Sequence, residues 1–463
     1  MSTARVKVCQ VETLAGAKMV AAFGADFIGL HAIDQNSFES SEADRFHEIT
    51  RWQLNRAPTC VPVLVTRSTD AAFIADVVSK TKVSIVQLHE RVPAAEILPQ
   101  LARECVIRGV PVPLILKAIA VEQTDREKVA AEVDEWLPWA WAILLDATTT
   151  GGTGRTINWE VAADLFSRVG HGRTFLAGGI SGRNAAAALD STKAWALDAQ
   201  TSTKIPDHRN PRLKSVAETL SLIASSHCVD REGLMRCYRW RRSDPRLLFS
   251  PSELSEEDFG HCSEAMARSG LDGVQIDVAD GTAGVQPWPV GALEWASRCN
   301  QRMPEFPLWV HCFSRDEQWV RRTIDEVQKA NPHFVGLIVQ PGLEIEAAHA
   351  LCTDLEEKLQ LPVVLSVTVG EIERAGDRAW KLQRRRWQLT APNADSARRA
   401  ERISQAVGML ASSNARVQLD RGVDRPLLES LETLPHCATL GRGLLESSES
   451  TAKWIIEKLG AQA

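Results

Sequence analysis

The sequence predicts an α/β protein built as two tandem (β/α)8 barrels, and three observations carry that reading. The chain has 463 residues, too many for one typical core and enough for two domains of this size. Its first half alternates short Val-, Ile- and Leu-rich runs with amphipathic helical stretches, and eight such units can be counted. The rhythm then lapses and restarts for eight more. Near-continuous apolar strands separated by helices indicate a parallel sheet buried on both faces, and eight strand–helix units close naturally into a barrel.

In the first half the strands are read at Arg5–Cys9, Phe27–Ile33, Val61–Thr66, Ser84–Glu90, Leu114–Val121, Ala140–Ala147, Thr174–Ile180 and Ala194–Ser202, with helices such as Thr13–Phe23 and Arg126–Leu137 between them. Residues 1–225 form the first domain. Around Ser225–Asp244 the pattern breaks into polar and basic residues, so 226–245 is read as a solvated linker. The second domain, 246–463, carries strands at Arg246–Pro251, Gly273–Val278, Leu308–Phe313, Phe334–Gln340, Pro362–Val369, Arg386–Ala391, Arg416–Asp420 and Cys437–Leu440. Neither half has a G-x-G-x-x-G after its first strand, which argues against an open dinucleotide-binding sheet.

Composition narrows the function classes. A hydrophobic fraction of 44%, a charged fraction of 24% and a net charge of −6 fit a soluble protein and argue against nucleic acid or an anionic membrane as partner. The N-terminus runs straight into a strand without a signal-peptide core, and no apolar run approaches the roughly 18 residues of a membrane span; a cytoplasmic location is expected. The ten cysteines are scattered without a CxxC pair and read as reduced core thiols. The Arg384-Arg385-Arg386 run reads as a solvated helix end.

In such barrels the reacting groups sit where strands end at the C-terminal face. Cys9 ends strand one and Asp146 ends strand six, so both should open into one mouth. Small-residue loops suited to phosphate follow strands six, seven and eight: Gly152-Thr153-Gly154, Gly178-Gly179 and Thr201-Ser202. Taken singly, Cys9 fits a buried thiol, Asp146 a helix cap and His89 a core histidine; together they fit acid–base chemistry on a phosphosugar.

These residues resemble phosphoribosylanthranilate isomerase over roughly the first 220 residues: Lys7-Val8-Cys9 on strand one, Asp146 before Gly151-Gly152-Thr153-Gly154, Ala177-Gly178-Gly179 on strand seven, Gln87-Leu88-His89 on strand four and Lys117-Ala118-Ile119 on strand five. The resemblance implies that Asp146 protonates a ring oxygen and Cys9 removes the C2 proton, an Amadori rearrangement needing no cofactor. Two departures stand out. Gln10 follows Cys9 where the family has Gly, and Asp34–Glu39 after strand two lacks the family's arginine for the anthranilate carboxylate. Weak or absent activity on phosphoribosylanthranilate is therefore expected.

The second half more weakly resembles ribulose-phosphate 3-epimerase, through Phe249–Ser255 with Ser252, the run Gln275–Gly281, His311 and Asp420. That resemblance implies a divalent metal held by Asp277, His311 and Asp420, with Gln275 in place of a histidine, and proton exchange at Asp277 and Asp420. Arg421 and Arg442 would take a phosphate. The leading expectation is a bifunctional pentose-phosphate isomerase/epimerase acting on a small phosphosugar. The alternatives are a tryptophan-pathway isomerase with a structural second barrel, and a non-catalytic phosphosugar-binding scaffold. The oligomeric state is left open.

Overall fold

A computed structural model describes residues 4–459 apart from 122–125, 149–154, 171, 207, 209, 211, 253, 269, 391–395, 412–414, 421–422, 441–453 and 456. The chain divides into two compact units, Met1–Met235 and Arg236–Ala463, and each contains a closed parallel barrel of eight strands in chain order. The first is β1 (Arg5–Val8), β2 (Phe27–His31), β3 (Val61–Thr66), β4 (Ile85–Leu88), β5 (Leu114–Ala120), β6 (Ala142–Asp146), β7 (Thr174–Leu176) and β8 (Ala196–Ala199). The second is β9 (Leu247–Phe249), β10 (Gly273–Ala279), β11 (Leu308–Phe313), β12 (Phe334–Val339), β13 (Val363–Thr368), β14 (Arg386–Thr390), β15 (Arg416–Asp420) and β16 (Cys437–Leu440). All sixteen expected strands are present, and the fold is two (β/α)8 barrels. Among the described residues no helix is long and apolar enough to cross a membrane, and all ten cysteines are free.

Several strands stop before the expected end, for local reasons. After β7 the backbone enters left-handed conformations at Gly178 (φ 85°) and Gly179 (φ 62°), which ends extended pairing. After β8 the chain tightens into the 3-10 turn Thr201–Thr203.

The period-two alternation of strands sorts each barrel's interior. In the first, Phe27, Trp141, Phe175 and Trp195 meet with ring centroids 5.4 to 6.1 Å apart. Phe27 begins its strand, Trp141 and Trp195 directly precede theirs and Phe175 is the second residue of β7, so they plug the N-terminal end of the interior and leave the C-terminal end to polar side chains. In the second barrel Trp309 is fully buried facing Gly336, where a Cβ would come within 2.2 Å of the indole ring.

Two sequence expectations are corrected. Residues 226–245 contain the helix Arg231–Arg241 where a solvated connector was expected. Its Tyr238 is fully buried and donates its hydroxyl proton to His333 Nε2, while Arg386 stacks on Trp240 at 4.8 Å. The Arg384–Arg386 run is likewise packed at two of its three positions: Arg384 is buried and donates to the Val363 carbonyl at 2.6 Å, and Arg386 donates to Ser243 Oγ at 2.8 Å. Aromatic faces, carbonyls and hydroxyls hold guanidinium groups that periodicity alone assigns to solvent.

Replacing Gly336 with alanine should overpack the Trp309 contact and cost about 1–3 kcal/mol. Urea unfolding followed by tryptophan fluorescence measures this, and an unchanged midpoint would mean the ring yields freely.

Candidate active site

A cavity of about 420 Å³ opens among the strand ends of the first barrel, lined from β1, β2, β3, β4, β6, β7 and β8. Cys9, His89, Asp146, Gly178, Gly179, Thr201 and Ser202, all singled out from sequence, line it. Gly152, Thr153 and Gly154 lie outside the described residues.

The thiol end is built by alternation along β1, which turns both Lys7 and Cys9 inward. The Lys7 ammonium, fully buried, donates to Cys9 Sγ at 3.2 Å and to Asp198 Oδ2 of β8 at 2.8 Å. Burial opposes its charge, but Asp198 and Cys9 outweigh that and hold its pKa above the ordinary lysine value. Burial, reinforced by Asp198, pushes the Cys9 thiol up, while Lys7 and Lys214 pull the other way. On its other side Sγ lies 3.1 Å from His31 Nε2. Burial, with the Lys7 charge, holds His31 well below its usual range, so a neutral imidazole and an ammonium flank the sulfur. Room for the sulfur comes from Gly29 on β2, where a Cβ would lie 2.6 Å from Sγ.

Gln10 adopts φ 58°, a left-handed conformation in which glycine is the easier residue. Its Oε1 accepts from Gln200 Nε2 at 2.8 Å, tying the loop after β1 to that after β8.

Asp146 closes β6. Its Oδ1 accepts from its neighbour's backbone, Ala147 N, at 2.7 Å, yet burial dominates and pushes the carboxyl up to about 6. A carboxyl poised there can carry a proton near neutrality and release it to a substrate. His89 lies 2.6 Å from Gln87 Nε2 and is pushed down to about 3 by burial; it presents a neutral ring. Ser202 Oγ donates to the Ile180 carbonyl at 2.6 Å, joining the two loops expected to take phosphate. Lys117 faces away from the cavity, donating to the Glu90 carbonyl and lying over Trp136.

One sequence inference about this pocket is overturned. The loop after β2 lacks an arginine, as read, but the cavity does not: Arg67, one residue past the end of β3, lines it. Val63, Val65 and Arg67 continue one inward stripe beyond the strand, a signal available in the sequence. Gly29 and His31 do the same on β2, and Lys7 and Cys9 on β1.

In the second barrel Asp277, His311 and Asp420 converge, their ligand atoms within 4.8 Å of one another. His311 Nδ1 lies 3.2 Å from Asp277 Oδ1 and 3.6 Å from Asp420 Oδ2. His311 Nε2 is buried without a partner among the described residues. Burial raises the Asp277 carboxyl, but His311, Gln275 and Ser250 more than offset this and hold it below the ordinary value.

Gln275 is placed differently from expectation. Its Oε1 accepts from Gln388, Gln418 and Thr439, so its amide nitrogen faces the cluster, 3.0 Å from Asp277 Oδ1, 3.3 Å from His311 Nδ1 and 3.4 Å from Asp420 Oδ2. An N–H donor cannot ligate a cation, so Gln275 is a support to the carboxylates rather than a ligand. Ser252 accepts from Asp277 N at 2.7 Å, and Ser250, not singled out, donates to Asp277 Oδ2 at 3.0 Å. Arg421 and Arg442 lie outside the described residues.

Residues 6–203 match the family model of N-(5'-phosphoribosyl)anthranilate isomerase. The N-(5'-phosphoribosyl)anthranilate isomerase of Methanocella arvoryzae is 30% identical over 196 residues, covering 42% of this chain and 86% of the relative. That of Aquifex aeolicus is 30% identical over 198 residues, with 42% and 86% covered. That of Geotalea daltonii is 31% identical over 196 residues, with 42% and 84% covered. The fold and these matches define an isomerase on a (β/α)8 barrel. Through its first barrel the chain belongs to the N-(5'-phosphoribosyl)anthranilate isomerase family.

Asp146→Asn should stabilise the protein where the native carboxylate is ionised against its burial. A raised folded-state pKa disfavours the native state once pH exceeds it, so at about pH 8 the variant gains about 1–3 kcal/mol. The gain should shrink as pH falls through about 6 and vanish below about 4, the unfolded-state value, where the acid is protonated in both states. Urea unfolding across that range checks the sign.

Proposed function

We propose that the first barrel isomerises N-(5'-phosphoribosyl)anthranilate to its 1-amino-1-deoxyketose phosphate. The observation that carries this reading is one cavity shared by the Cys9 thiol, the Asp146 carboxyl raised to about 6 and the loops after β7 and β8, in a barrel of that family. It favours the reaction of the tryptophan-pathway alternative for the first barrel, and Arg67 in the cavity removes the reason for expecting weak activity.

In this mechanism Asp146 gives its proton to the furanose ring oxygen. The C1–O bond breaks as the nitrogen lone pair forms C1=N. The Cys9 thiolate, stabilised by Lys7, removes the C2 proton, and those electrons form the enolamine. Ketonisation at C2 with proton delivery to C1 completes the rearrangement. His31, held neutral beside Sγ, adds no charge to the site, so Lys7 is the cation next to the thiolate. The phosphate is held by backbone N–H donors at Gly178, Gly179, Thr201 and Ser202.

The active form needs Asp146 protonated and Cys9 ionised, so kcat/KM should be bell-shaped, with one limb near pH 6 and the other above the ordinary thiol value. Asp146→Asn and Cys9→Ser should each lower kcat by about 10²–10⁴-fold. Wild-type turnover of phosphoribosylanthranilate, and complementation of a tryptophan auxotroph lacking the isomerase, test the reading. Failure of both in soluble protein would overturn it.

For the second barrel we propose that Asp277, His311 and Asp420 hold a divalent cation, with the Gln275 amide supporting the two carboxylates. Two carboxylates and one imidazole suit a hard or borderline ion, which when bound would stabilise an enediolate. Epimerisation of a ketose phosphate there rests on that set and on the weaker resemblance. Metal analysis of chelator-free protein should find a divalent ion that Asp420→Asn loses. Gln275→His, by supplying a fourth ligand, should tighten binding about tenfold or more. No metal in wild type or in Gln275→His would leave the second barrel structural.

A further inference from the structure

The anthranilate in the substrate's name brings an aromatic carboxylate, and burying it in the cavity without a cation would be costly. We propose that Arg67 is the specificity-determining residue that binds this carboxylate, supplied by the third strand because the loop after the second has no arginine. The proposal rests on the substrate reading above and assigns that site's far end.

Topology places Arg67 where such a group is needed. In a closed barrel of eight strands, strands four places apart face each other across the axis. β3 therefore lies opposite β7, and β4 opposite β8. The phosphate loops after β7 and β8 occupy one end of the mouth, and Arg67, with His89 beside it, occupies the other. Cys9 and Asp146, on β1 and β6, come from the strands between these ends. A ligand with phosphate at β7 and β8 and its sugar between thiol and carboxyl must point its remaining substituent towards β3 and β4.

Charge singles out the same residue. Among the described residues lining the cavity, Arg67 is the one lysine or arginine, and the two histidines there are held neutral by burial. The guanidinium is about half-buried and already oriented, since Nε donates to Glu90 Oε1 at 2.8 Å. Neither Nη nitrogen has a hydrogen-bond partner among the described residues. Glu90 thus fixes the plane of the fork through one nitrogen and leaves two donors on the same guanidinium for a carboxylate. A guanidinium presents its donors in a rigid plane that matches a carboxylate, which an ammonium cannot do.

The test compares two ligands on the full chain: reduced 1-(o-carboxyphenylamino)-1-deoxyribulose 5-phosphate, and its phenylamino counterpart without the carboxylate. By calorimetry the wild type should prefer the carboxylated ligand about 10- to 100-fold. Arg67→Gln should reduce the preference to less than about threefold and leave affinity for the carboxyl-free ligand unchanged; Arg67→Lys should keep part of it. Equal weakening of both ligands would mean that Arg67 serves the phosphate or the fold, and would overturn the proposal. So would a wild type without preference, or a preference that survives Arg67→Gln. Wild-type turnover is measured in parallel. Its absence would count against the proposed reaction, while the ligand preference would still decide the role of Arg67.

Discussion

The pairing of β1 with β8 is the constraint on which the first site depends. It closes the barrel in a register that sets Val6 against Leu197, Lys7 against Asp198 and Val8 against Ala199, and Cys9 N donates to the Ala199 carbonyl at 2.8 Å. That register brings a fully buried ammonium to a carboxylate directly beneath the thiol. A buried ion pair contributes little net stability, because desolvating both charges offsets their attraction. Its consequence here is chemical. The Lys7 ammonium lies 3.2 Å from Cys9 Sγ in an otherwise desolvated place, and Asp198 keeps that lysine charged. A one-residue slip of β1 would turn Lys7 and Cys9 out into the helical layer.

The two barrels apply the same alternation to different interiors. The first closes its N-terminal end with aromatic rings and spends its polar residues near the mouth. The second carries a hydrogen-bonded web through its interior, in which Gln388, Gln418 and Thr439 converge on one amide oxygen of Gln275, and Ser366 donates to Gln388 at 2.7 Å. This web fixes which end of Gln275 meets Asp277 and Asp420. An amide is a substitute for imidazole only if its oxygen faces the ion, and here the neighbouring donors hold that oxygen away.

Much of this was legible in the sequence, because apolar runs of strand length, spaced by amphipathic helices, leave few alternatives to a parallel barrel. Cys9 and Asp146 were legible as polar residues closing such runs. What escaped came from partners distant in sequence. Nothing local to Lys7 announces Asp198, 191 residues away, and nothing local to Tyr238 announces His333. Arg67 escaped for another reason: the family's carboxylate-binding arginine stands after strand two, whereas here the inward stripe Val63, Val65, Arg67 carries one after strand three. Gln275 shows the limit of residue type, since its orientation is set by side chains on three other strands.

The proposed chemistry requires that one ligand span the first mouth from β7 and β8 to β3. A crystal structure of the full chain with reduced 1-(o-carboxyphenylamino)-1-deoxyribulose 5-phosphate tests it most directly. The predicted result is phosphate beside Gly178, Gly179, Thr201 and Ser202, the sugar carbons between Cys9 and Asp146, and the carboxylate on Arg67. Phosphate on Arg67, or a ligand seated only in the second barrel, would contradict it.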